Sequence, residues 1–87
     1  MLLNIRVENV YPDDKVVAFK TVEVPPAPGG PIRSDNVFDV DPLDEWAYDE
    51  LYPWTGTGRE EGDAAYFVTI LAADEPGYAG LEFEWGL

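Results

Sequence analysis

Between Leu2 and Val10 the chain alternates. Leu3, Ile5 and Val7 fall on one side of an extended backbone, and Asn4, Arg6 and Glu8 fall on the other. A period of two marks a strand with one buried face, so this segment commits the chain to a sheet that needs a covering layer on one side. Tyr11-Pro12-Asp13-Asp14 supplies residues that tight turns use. Lys15 to Val24, rich in Val and carrying Phe19, is a second strand, and the two read as a hairpin. Pro25 to Pro31 holds four prolines and two glycines, which can neither continue a ladder nor start a helix. It is expected as an ordered or semi-rigid surface loop.

Residues 32–41 carry no clear period. A helix signal follows. Asp41 suits the N-cap, Pro42 the first helical position, and Asp44 and Glu45 complement the positive end of the helix dipole. At 100° per residue Leu43, Trp46, Ala47 and Leu51 share one face. Asp41, Asp44, Glu45, Tyr48, Asp49 and Tyr52 share the opposite one, and Glu50 is a misfit within the apolar arc. The helix should stop near Tyr52, ahead of Pro53. Trp54 to Asp63 is a Gly-rich polar loop. Ala64 to Leu71 reads as a third strand, with Tyr66, Val68 and Ile70 on one face and Phe67 on the other. Asp74-Glu75-Pro76-Gly77 is a turn. Tyr78 to Leu87 reads as a fourth strand, in which Leu81, Phe83 and Trp85 alternate with Glu82 and Glu84.

These segments define an α+β fold within a single domain over residues 1–87. A four-stranded, mainly antiparallel sheet (strand, strand, helix, strand, strand) carries one short helix packed on it. Leu43, Trp46 and Leu51 are expected against the sheet, beside Ile5, Val7, Phe83 and Trp85.

Charge narrows the function. Eighteen acids face five bases, for a net charge of -13, and the chain has neither histidine nor cysteine. That composition removes disulfides, Cys/His zinc sites, thiol nucleophiles and histidine bases. Arg6, Lys15, Lys20, Arg33 and Arg59 are too few to neutralise phosphates, so neither direct nucleic-acid binding nor an anionic membrane surface is expected. Aromatic residues make up 14% of the chain, which argues for a packed core over the disorder that high charge alone would suggest.

Enzymatic chemistry is not expected. Thr55-Gly56-Thr57-Gly58 follows no strand and precedes neither a Gly-Lys-Ser/Thr nor a helix, so it is no phosphate loop. Asp13-Asp14, Glu60-Glu61 and Asp74-Glu75 are paired acids in turns, not two acids facing across a cleft. Asp35, Asp39, Asp41 and Asp44 do not match the spacing of a calcium loop, and no metal or cofactor is expected.

The segment Asp35 to Glu50 is more informative, with seven acids and no base. Exposed helices usually mix signs and gain a few tenths of a kcal/mol per pair. This one forgoes that gain, and Tyr48 and Tyr52 stand among its carboxylates. One reading is a face that serves only solubility. The other is a surface for a basic protein, formed by Asp44, Glu45, Tyr48, Asp49 and Tyr52 with Glu60 and Glu61 of the flanking loop. The acids would steer and the tyrosines would anchor. Duplex DNA presents one charge per roughly 1.7 Å of axis, and carboxylates along a helix can imitate part of such a row. Small acidic proteins that occupy DNA-binding sites are a phage strategy against host enzymes, so charge and size suggest, by analogy, a modulator or inhibitor of a nucleic-acid-binding host protein.

Asp44 to Gly58 and the tail Glu82 to Leu87 resemble uncharacterised small acidic proteins of actinobacteria and their phages. The resemblance implies an origin, and it brings no activity and no functional residue. The start of the chain lacks the basic region and long apolar run of a signal peptide, so the cytoplasm of the bacterial host is the expected location. The alternative is a small structural or accessory phage protein whose acidity serves solubility. The sequence leaves the oligomeric state open.

Overall fold

A computed structural model describes residues 1–31, 42–55 and 64–86. Strand β1 (Leu2–Tyr11) turns through Pro12 and Asp13 into β2 (Asp14–Glu23). Helix α1 (Pro42–Glu50) follows, then a 3-10 turn at Tyr52–Trp54, β3 (Ala65–Ala73) and β4 (Glu82–Gly86). The sheet order is β2-β1-β3-β4 and every pairing is antiparallel. The α+β arrangement expected from the periodicities is the one observed.

The two hairpins meet because β1 pairs on both sides. Leu3, Ile5 and Val7 lie opposite Val22, Lys20 and Ala18 of β2, and Ile5 and Val7 lie opposite Ile70 and Val68 of β3. Cross-strand partners share a face, so this face collects Leu3, Ile5, Val7, Val22, Val68, Ile70 and Phe83, all buried. Leu43, Trp46, Ala47 and Leu51 cover it from the helix side. At about 25 cal/mol per Å² of buried apolar surface, this one-sided sandwich is the main source of stability.

Two strand boundaries differ by more than one residue from those the pattern suggests. β3 runs on to Ala73, beyond the expected Leu71, because an irregularity between Asn4 and Ile5 lets the chain slip by one residue. Ala72 pairs with Asn4 and Ile70 with Ile5, which leaves Leu71 exposed. The fourth strand is shorter than Tyr78–Leu87. Gly80 takes φ +91°, a conformation that interrupts an extended run and suits glycine. Before it, Tyr78 turns into the core, where its hydroxyl accepts the Ala27 N–H at 3.0 Å. Leu87 lies outside the described residues, as do 32–41 and the N-cap expected at Asp41.

The helix ends close to the expected place, but Pro53 does not terminate the coil. It sits inside the 3-10 turn, whose last N–H, from Thr55, bonds the Tyr52 carbonyl. A tighter turn there loses nothing to proline, since the first N–H groups of a helix have no internal partner.

Candidate functional site

Helix α1 is held from three sides. The Trp46 Nε1–H donates to the Pro25 carbonyl at 2.8 Å, which ties the helix to the proline segment. The Trp46 ring packs against Tyr78 and Phe83, with centroids 5.6 and 6.3 Å away. Tyr78 in turn holds Ala27. The proline segment is thus clamped by two aromatic side chains, as the reading of an ordered loop requires. At the far end Lys20 reaches from β2 to donate to the Trp54 carbonyl at 2.8 Å.

With Leu43, Trp46 and Ala47 turned inward, Asp44, Glu45, Tyr48 and Asp49 are left exposed. Tyr52 behaves differently from Tyr48. It is half-buried and meets Tyr66 and Trp85 edge-on at 5.9 and 5.4 Å. Tyr48 stacks on Tyr52 at 5.0 Å, with the rings 13° from parallel, and is 56% exposed. Of the two tyrosines expected as surface anchors, Tyr52 is held within the fold and Tyr48 is the solvent-facing layer stacked upon it. Trp85 continues the series, stacked against Phe83 at 6.2 Å. Rings therefore run without a break from the exposed Tyr48 through Tyr52, Trp85 and Phe83 to Trp46 in the core.

Asp44, Glu45, Tyr48, Asp49 and Trp85 line a shallow depression between α1 and β4. A neighbouring one shares Asp44 and Trp85 and adds Glu82 and Glu84. Asp44, Glu45 and Asp49 thus stand around Tyr48 and Trp85 with no basic residue among them, while Glu82 and Glu84, which alternate with Phe83 and Trp85 along β4, also border Arg6 on the other face of the sheet. Trp85, Glu82 and Glu84 are legible in the sequence as part of the last strand but not as neighbours of the helix acids, because they are distant in the chain. Their signal was the strict alternation of acids and aromatics in the last strand. Glu60 and Glu61, read as flanking the helix, lie outside the described residues, as do Asp35, Asp39, Asp41 and the 56–58 loop. Among the described residues no group of three or more His, Cys, Asp or Glu side chains is placed to hold a metal. No described helix is long and apolar enough to cross a membrane.

On β1 and β2 acids and bases balance. The described bases are Arg6, Lys15 and Lys20, all on β1 and β2. Glu8 accepts from Lys15 at 2.8 Å and from Arg6 at 3.1 Å. The Lys15 bond chiefly, with help from Arg6 and against some desolvation, holds the Glu8 carboxyl below its usual range. No protein-family model, no curated protein and no solved structure matches the chain.

Proposed function

We propose that this chain is a non-enzymatic acidic module that binds a basic partner protein through the α1–β4 face. The observation that carries the reading is the stacked Tyr48 ring, 56% exposed and braced by Tyr52, set among the Asp44, Glu45 and Asp49 carboxylates. A cationic side chain on the partner gains both from the carboxylates and from the face of an aromatic ring. Stacking holds the ring in place before binding, which lowers the ordering cost of association.

The basic surfaces most suited to a row of carboxylates are those that bind nucleic-acid backbones. The finer proposal is that the module occupies such a surface in a bacterial host, as a phage-type modulator or inhibitor. Its support is the charge, the size and the resemblance to small acidic proteins of actinobacteria and their phages. The test is capture from nuclease-treated actinobacterial lysate over a salt series, with Asp44→Lys/Glu45→Lys as the control bait. Recovery of a nucleic-acid-binding protein, lost steeply with salt and lost on charge reversal, is the expected result. Recovery only of the bait itself or of phage structural proteins would instead favour an accessory protein whose acidity serves solubility.

A further inference from the structure

We infer that this chain self-associates through the outer edge of β2, in one antiparallel register with Phe19 on the two-fold axis. The inference is independent of the acidic face, since it uses none of that face's residues.

The hydrogen-bond phase of β2 is fixed by its neighbour. The Met1 ammonium donates to the Val24 carbonyl at 2.9 Å, and the Val24 N–H returns a bond to the Met1 carbonyl at 3.0 Å. Pairs that exchange both bonds recur at every second position of an antiparallel ladder. Leu3–Val22, Ile5–Lys20, Val7–Ala18, Asn9–Val16 and Tyr11–Asp14 are therefore the bonded pairs of the observed register. The backbone groups of Lys15, Val17, Phe19, Thr21 and Glu23 consequently point away from β1. The Lys15 N–H agrees, since it bonds the Asp14 Oδ1 at 2.7 Å.

Natural edge strands are shielded by proline, bulges, brevity or charge; β2 carries Lys15 and Lys20 but none of the first three. β2 has ten residues, no proline and no break in its register with β1, and it is the terminal strand among the described residues. Phe19, 69% exposed, and Val17, also exposed, stand along it. Its charge is balanced, unlike that of α1 and β4. Asp14 and Glu23 are balanced by Lys15 and Lys20, so the strand is neutral in a molecule of net charge -13. A second copy can approach here with less repulsion than at the acidic helix face.

The outward-facing residues are self-complementary. With Phe19 opposite Phe19 of the partner subunit, Val17 faces Thr21 of the partner subunit and Lys15 faces Glu23 of the partner subunit. By symmetry each pair occurs twice. Two opposite-charge pairs bracket two apolar contacts and a central aromatic pair, each a favourable cross-strand combination. Sliding the copies by one bonded pair in one direction sets Asp13 against Glu23 of the partner subunit. Sliding them in the other sets Lys15 against Pro25 of the partner subunit, which offers no N–H. The favoured register joins two four-stranded sheets into one.

The register makes a sharp test because the chain has no cysteine. Sedimentation velocity at about 0.5 M NaCl, where screening acts beyond roughly 4 Å, is expected to show the mass moving from 9.7 kDa towards twice that value as concentration rises. Under mild oxidation a mixture of V17C and T21C chains should cross-link at least about tenfold faster than either alone. In the bonded pair the Cα atoms are ~5.5 Å apart, within disulfide reach. Like positions are four residues, or roughly 13 Å, out of register. A 9.7 kDa species at all concentrations up to about 1 mM, or equal cross-linking of V17C alone and of the mixture, would overturn the inference.

Discussion

Tyr48 and Tyr52 differ by one helical turn and take different roles. Tyr52 is wedged edge-on against Tyr66 and Trp85, and each such aromatic pair adds about 0.5–1.5 kcal/mol beyond area burial. Tyr52→Ala is therefore expected to cost about 2 kcal/mol, read as a lowered urea midpoint. Tyr48→Ala should shift the midpoint by less than about 1 kcal/mol, losing one stacked, exposed contact, while the captured partner dissociates faster. Equal losses of stability for both variants would assign Tyr48 to the scaffold. Trp46→Phe keeps most of the buried ring and loses the bond to the Pro25 carbonyl. The expected cost is about 1 kcal/mol from that bond, with faster amide exchange in the proline segment as the local sign. Helical spacing in the sequence identifies the exposed acids and the buried Leu43, Trp46 and Ala47 correctly. It could not distinguish Tyr48 from Tyr52, because what separates them is the reach of Tyr66 and Trp85, supplied by strands later in the chain.

At the scale of elements, the strands were legible wherever one face is buried and the other wet, as in β1, where alternation carries the information. The ends of β3 and β4 were not, because they are set by pairing and backbone conformation more than by side-chain pattern. Gly80 breaks the last strand through a positive φ, and the slip opposite Asn4 lengthens β3. Gly86 is a further case. It pairs with Ala65 at φ +103°, and a Cβ there would collide with the Ala64 carbonyl oxygen. Gly86→Ala should therefore destabilise the β3–β4 hairpin by about 1–3 kcal/mol. The check is a lowered thermal midpoint together with exchange of the β4 amides ahead of those of β1. Unchanged β4 protection would contradict the account of that strand end.

Among the described residues the bases lie on β1 and β2, where acids balance them, and an acid-lined groove lies between α1 and β4. Self-repulsion among acids destabilises the compact state, so the thermal midpoint at neutral pH should rise with added NaCl. It should rise again from roughly pH 7 to pH 5 as the first carboxylates take up protons. Glu8 acts in the opposite sense. Its carboxyl is held low in the folded state by Lys15 and Arg6, so its contribution is present above the ordinary carboxylate range and is lost as pH falls through the lowered value. A maximum at mildly acidic pH, followed by a decline, is the expected profile. A midpoint that is flat or falls with salt would mean that the acids are locally compensated. The central claim is that the α1–β4 groove, and not acidity in general, is the binding surface. Titrating the isotopically labelled chain with a short Arg- and Lys-rich peptide and following the amide shifts by NMR addresses it most directly. Saturable shifts concentrated at Asp44, Glu45, Tyr48, Asp49, Glu84 and Trp85, and weakened by Tyr48→Ala, are the predicted result. Shifts spread equally over Asp13, Asp14, Glu23, Asp74 and Glu75 would contradict it.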